Sequence, residues 1–182
     1  MIYVFLAEGF EEMEAVAPVD ILRRLNIPVT TVGVTGKNVT GSHGITVTAD
    51  KTFNECNFAD IEAVLLPGGM PGTVNLGKSE PLCSLIKDCF DNGKIISALC
   101  AAPSVLGGLG ILEGREFTCY PGFEENIKGI YKKEPLVISE GSSAVITAWG
   151  PGAAYRFGFA LAEKITGKDV SELKASMMMC GD

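Results

Sequence analysis

Five short apolar runs, at residues 2–6, 28–34, 63–66, 95–99 and 144–148, are separated by stretches in which apolar residues recur at helical spacing, near 14–25, 80–91, 102–109 and 152–166. This alternation constrains the fold more than any other feature of the chain. Strands that are apolar throughout, rather than at every second residue, are buried on both faces, and each crossover to a parallel neighbour needs a helix. The expectation is an α/β fold, a flavodoxin-like, doubly wound and mainly parallel sheet with helices on both faces, in a single domain spanning 1–182. Between Val39 and Val47, apolar residues alternate around Gly41 and Gly44, which reads as a small antiparallel hairpin beside the main sheet. Leu82, Leu85, Ile86 and Cys89 repeat at helical spacing and put Cys89 on a core-facing stripe.

Composition narrows the function. A chain of 182 residues with 47% apolar and 20% charged content can bury one full core. No apolar run approaches the ~20 residues that cross a bilayer, and the N-terminus begins as a strand without a basic leader, so a cytoplasmic protein with no membrane partner is expected. A net charge of −7 argues against nucleic acid, whose binders neutralise phosphates with Lys and Arg. The six cysteines (Cys56, Cys83, Cys89, Cys100, Cys119, Cys180) include no CxxC pair and no Cys/His ligand spacing, so neither a redox dithiol nor a zinc site is indicated. G-x-G-x-x-G and the Lys-Ser/Thr of a phosphate loop are also absent. No cofactor or metal is expected, and the partners that remain are small molecules or proteins.

The run Lys94-Ile95-Ile96-Ser97-Ala98-Leu99-Cys100-Ala101-Ala102-Pro103 delivers a cysteine into small residues and then a proline-started helix. A nucleophile at a sharp strand-to-helix turn is pushed out of the sheet, and its flanks must be small to fit the tight backbone. Backbone N–H groups at the helix start would face the sulfur, lowering its pKa and offering hydrogen bonds to an oxyanion. The same stretch also fits an inert cysteine buried in a βα connection. Two further strand ends carry candidate chemistry. After Ile2-Tyr3-Val4-Phe5-Leu6-Ala7, three carboxylates (Glu11, Glu12, Glu14) crowd one loop-to-helix junction, and Ala63-Val64-Leu65-Leu66 ends in Pro67-Gly68-Gly69-Met70-Pro71-Gly72. In a doubly wound fold all three lie at the carboxyl ends of the strands, where ligands bind.

These strand ends, the Cys100 turn and Trp149-Gly150-Pro151-Gly152 before the last long helix resemble the ThiJ/PfpI superfamily, closest to its branch of parkinsonism-associated deglycase proteins and their bacterial relatives. The resemblance runs nearly end to end. It implies that Cys100 is a nucleophile, that Glu14 is a buried carboxyl reaching its sulfur, and that the chain forms a homodimer, with Arg23 and Arg24 near the interface. A carboxyl held against a thiolate keeps its proton, because two adjacent anions cannot both stay ionised in low dielectric. Gly69 and Ala101 would supply N–H groups to an oxyanion, while Gly68 and Gly72 would take the unusual backbone dihedrals.

The departures are informative. Hydrolytic members of the superfamily place a histidine directly after the cysteine; here that residue is Ala101. The parkinsonism-associated branch brings a histidine from a later loop, and the matching stretch Phe117-Thr118-Cys119-Tyr120-Pro121 puts Tyr120 there. A phenol with a pKa near 10 is a poor base at neutral pH. The only histidine, His43, falls in the expected hairpin, as a solvent-exposed turn residue or one that enters a pocket across a dimer interface. Cys119 and Trp149 are candidate pocket residues beside Tyr120 and Gly68, each with a plain packing role as the alternative. The leading expectation is a cofactor-independent, cysteine-dependent enzyme of small reactive carbonyls, similar to the superfamily's glyoxalase and deglycase activities. A redox-responsive stress protein or chaperone with an oxidisable Cys100 is the alternative, and an amidase or peptidase ranks last.

Overall fold

A computed structural model describes residues 1–179; Cys180 lies outside the described residues. In chain order the strands are β1 (Ile2–Leu6), β2 (Val29–Gly33), β3 (Asn38–Thr40), β4 (Thr46–Thr48), β5 (Lys51–Thr52), β6 (Ala63–Leu66), β7 (Ile95–Leu99), β8 (Glu116–Phe117), β9 (Ile130–Tyr131), β10 (Leu136–Ser139) and β11 (Val145–Ala148). The helices are α1 (Glu12–Arg24), α2 (Gly72–Lys78), α3 (Glu80–Asp91), α4 (Pro103–Gly108), α5 (Ala154–Thr166) and α6 (Ser171–Ser176).

Seven strands form one sheet in the order β10-β11-β7-β6-β1-β2-β5, parallel throughout except for the antiparallel β10–β11 pair at one edge. Side chains of β1 show why the central strands are apolar at every position. Ile2, Val4 and Leu6 point into one core, shared with Ile21 and Leu22 of α1 and with Phe157 and Leu161 of α5. Tyr3 and Phe5 point into the other, shared with Leu76 of α2, Leu82 and Ile86 of α3 and Leu106 of α4. The period of two is therefore present in space but invisible in composition, since both faces are covered. The fold is the expected doubly wound α/β domain.

The expected hairpin is the antiparallel pair β3–β4, with Val39 opposite Val47. Cys89 is buried among the residues that α3 turns inward. The stretch expected as one helix from 152 opens with a single 3-10 turn at Pro151–Ala153, and α5 begins at Ala154.

Helices α1 and α5 lie side by side on one face of the sheet, and their approach depends on one position. A Cβ at Gly158 would sit 2.7 Å from Ile21 Cδ1 and 3.0 Å from Pro18 Cα, so any side chain there would wedge the helices apart. Gly158→Ala gains up to about 1 kcal/mol of helix propensity, against about 1–3 kcal/mol of overpacking against a rigid proline backbone. We expect the variant to be the less stable, by roughly 1 kcal/mol in urea unfolding; a more stable variant would mean that the contact relaxes freely.

Candidate active site

Strand β7 ends at Leu99, and the next residue takes a backbone conformation that L-residues avoid. Cys100 has φ +59°, in the left-handed region that costs a non-glycine residue on the order of 1 kcal/mol or more. Two backbone hydrogen bonds hold it there. Its N–H donates to the Ala148 carbonyl of β11 at 2.8 Å, and its own carbonyl accepts from the Tyr120 N–H at 2.8 Å. The small residues Ala98, Ala101 and Ala102 surround the turn and α4 starts at Pro103, which needs no N–H in that first turn. Cys100 is nearly enclosed, at 9% exposure, and the backbone N–H groups of Gly69 and Ala101 favour its anion, pulling the thiol pKa down.

Glu14, in the first turn of α1, is fully buried. Its Oε2 accepts the Gly68 N–H at 2.7 Å. The carboxyl and the Cys100 thiol act on each other's ionisation, and Glu14 Oε1 has no hydrogen-bond partner among the described residues. Gly68 makes this convergence possible by lacking a side chain. A Cβ there would lie 2.7 Å from Cys100 Cβ and 2.8 Å from Glu14 Oε2. The unusual dihedral expected at Gly68 and Gly72 falls instead on Gly69, at φ +89°. Gly68 is required for space and Gly69 for its dihedral.

Burial pushes the Glu14 carboxyl up from 4.5 to about 7, against the lowering effect of hydrogen bonds with Gly68 and Cys100. The thiol departs from the sequence expectation. Burial, then the charge and hydrogen bond of Glu14, push Cys100 up to about 12, although Gly69 and Ala101 pull it down. The helix-start effect is present but loses to desolvation and to the neighbouring carboxylate. The charge on Glu14 thus opposes ionisation of the thiol. A proton on Glu14 removes the repulsion and turns the carboxyl into a donor toward sulfur.

The other expected residues divide. Tyr120 is held beside Cys100 through its backbone, and its half-exposed ring packs edge-on against Phe123 at 6.4 Å between centroids. Trp149, partly exposed, directly follows β11. Cys119 is fully buried in the core on the α2–α4 side, whereas Cys100 belongs to the core on the α1–α5 side. Its sulfur lies 4.0 Å from Glu124 Oε2, and burial pushes its thiol up to about 12. His43 is on the hairpin turn, largely exposed, and bonds Glu12 at 3.0 Å. That contact was missed in the sequence, as was the Tyr120 N–H on the Cys100 carbonyl; both join segments far apart in the chain, and no local pattern marks them.

The DJ-1/PfpI family pattern matches residues 1–164. The chain belongs to the DJ-1/PfpI family. Within it, the DJ-1-like branch is the one resembled. Protein dj-1beta of Drosophila melanogaster is 33% identical over 180 residues, covering 97% of this chain and 95% of that protein. The Parkinson disease protein 7 homolog of Danio rerio is 35% identical over 182 residues, with the same shares covered. A DJ-1 superfamily protein of Salmonella typhimurium, solved as a cysteine-to-alanine mutant, superposes with a TM-score of 0.92 at 32% identity, covering 99% of this chain and 98% of that one. The crystal structure of Drosophila DJ-1beta gives 0.90 at 32% identity, with the same coverage.

The raised Glu14 value has a measurable consequence. A carboxyl whose pKa rises from 4.5 to about 7 on folding stabilises the fold fully below about pH 4.5, and this contribution is lost as pH rises through about 7. Glu14→Gln stays neutral throughout. Its stability relative to the parent is expected to improve across that window, by roughly 3 kcal/mol at most. Urea unfolding at a series of pH values checks this, and a difference independent of pH would show that Glu14 ionises in the fold as it does in the unfolded chain.

Proposed function

We propose that this DJ-1/PfpI protein is a cysteine-dependent enzyme of small reactive carbonyls, in the manner of a glyoxalase or deglycase, working without a cofactor. The observation that carries this reading is the convergence on one sulfur of a strained strand-to-helix turn, two backbone N–H groups and a carboxyl whose pKa lies near neutrality. A relative from Pyrococcus abyssi, 32% identical over 127 residues and 69% of this chain, is named a deglycase.

With methylglyoxal, Cys100 would attack the aldehyde carbon to give a hemithioacetal, with the oxygen held by the Gly69 and Ala101 N–H groups. Glu14, poised near pH 7, suits the next step. As a carboxylate it takes the proton from the former aldehyde carbon and returns it to the adjacent carbon, while the hydroxyl proton of the hemithioacetal passes to the neighbouring ketone oxygen, giving the thioester. Water then cleaves the thioester, releasing lactate and the thiol. The sequence is redox-neutral, consuming one water per dicarbonyl.

A second reading is supported by the solved Toxoplasma gondii DJ-1, described as oxidized, which superposes with a TM-score of 0.92 at 29% identity. The same N–H groups and a protonated Glu14 could hold the oxygens of a Cys100 sulfinate as a redox signal. We also propose a homodimer, because Met13 and Val16 leave an apolar face of α1 half-exposed. Among the described residues no helix is long and apolar enough to cross a membrane.

Steady-state methylglyoxal consumption separates the readings. Cys100→Ser should abolish turnover, Glu14→Gln should lower kcat by about 10²–10⁴-fold, and Tyr120→Phe should retain most activity because Glu14 alone moves the proton. No dicarbonyl consumption by the parent protein would favour the redox reading, and a collapse in Tyr120→Phe would make the phenol part of the chemistry.

A further inference from the structure

The first turn of α1 carries a second carboxylate that the chemistry above does not use. Glu12 is 6% exposed, and its oxygens are spent on the hairpin turn between β3 and β4. Oε1 accepts the His43 N–H at 2.9 Å and the Ile45 N–H at 3.3 Å, and Oε2 lies 3.0 Å from His43 Nδ1. Gly41 lies so close to the same carboxyl that it has no room for a Cβ. Glu11 adds a carboxylate oxygen 3.4 Å from Nδ1 and 3.3 Å from the Ser42 hydroxyl, and the Ser42 N–H donates to the Phe10 carbonyl at 2.8 Å. Glu11, Glu12 and His43 bring their ligand atoms within 4.8 Å of one another. With both Glu12 oxygens already accepting hydrogen bonds, the group is a clasp.

The clasp connects to the sulfur through consecutive backbone contacts. Residues 10–12, held by the hairpin turn, send the Glu11 N–H to the Gly68 carbonyl at 2.9 Å. Gly69, the next residue, packs directly on the Glu11 nitrogen, and its own N–H favours the Cys100 anion. We propose that Glu12 and His43 form a proton-controlled clasp that positions the Gly68–Gly69 loop against the Cys100 sulfur, making His43 a positioning residue for its reactivity. The proposal rests on Cys100 being the reactive group and not on which substrate it takes.

The charged groups facing His43 are Glu11 and Glu12 of α1; Glu8 reaches the base of the hairpin at the Thr40 N–H instead. All are acidic. Hydrogen bonding to Glu12, then the charges of Glu11 and Glu12, raise the imidazole above 6.5. Burial disfavours the Glu12 anion, but hydrogen bonds from His43, its own backbone and Ile45 outweigh this and hold it at about 2. Glu12 is thus charged throughout the useful range. The imidazolium's contribution is complete below pH 6.5 and is lost as pH rises through the raised His43 value. Deprotonation leaves a weaker neutral hydrogen bond and a looser turn.

The test is the rate of Cys100 alkylation by iodoacetamide, read by intact mass and peptide mapping from mildly acid to mildly alkaline pH. The His43 titration is followed by NMR in the same buffers. Variants are compared as rate ratios to the parent, which cancels the titration of Glu14 and Cys100 themselves. His43→Arg, always charged, should match the parent at low pH and exceed it, by no more than about fivefold, above the His43 pKa. His43→Gln, never charged, should be slower at low pH and converge above that pKa. Ratios that do not vary with pH would overturn the proposal. In a Glu12→Gln background the pH-dependent difference between Arg and His at position 43 should disappear. Its persistence would mean that His43 acts on the thiolate through space, which would overturn the positioning role.

Discussion

A carboxyl group with no exposure to water is a liability unless something compensates for its lost hydration, and here the Gly68 N–H and the Cys100 thiol are what Glu14 has. The remaining geometry follows from keeping that group buried. It requires α1 to start after a short loop from β1, so that its first turn reaches the Gly68 N–H at the end of β6. It requires Gly68 to lack a side chain, since any Cβ would displace either the carboxylate or the cysteine. It also sets the Glu14 carboxylate against ionisation of the Cys100 thiol, so the state of one bears on the other.

The sheet supplies the second constraint. Cys100 can occupy a left-handed conformation because its N–H is paired to β11 and its carbonyl to the segment after β8, on opposite sides of the turn. The Thr118 N–H, bonded to Thr147 Oγ1 at 2.9 Å, fixes that segment to the same strand. Local strain is therefore over-determined by long-range contacts, the condition under which such a conformation persists.

What could be read from the sequence divides along physical lines. The central strands were legible because a parallel strand covered on both faces is apolar at every residue, and the β3–β4 hairpin because Gly41 and Gly44 interrupt a clear alternation. The edge strand β10 was not legible: with Ile138 half-exposed and Leu136 only partly buried, its four residues carry no pattern distinct from a loop. In the site, the location of Cys100 was legible but the direction of its pKa was not. The helix start is visible in the sequence, whereas the burial of Glu14 depends on its angle around α1. Glu11, Glu12 and Glu14 are the same kind of side chain in one turn. Rotation of about 100° per residue sends Glu12 to the hairpin and Glu14 to the sulfur, and only the family resemblance separated them beforehand.

The hydrogen bonds between the first helix and the glycine loop run in both directions. The Glu11 N–H donates to the Gly68 carbonyl, the Gly68 N–H donates to Glu14, and the Gly72 N–H donates back to the Gly9 carbonyl at 3.1 Å. Segments laced in this way exchange their amide protons together, because none of these bonds opens without the others. The backbone around the sulfur thus belongs to the same cooperative unit as the ends of β1 and β6 and the start of α1, not to a mobile lid. A sulfur held in so fixed a setting gains little from closure, so whatever reaches it must fit the surrounding backbone as it stands.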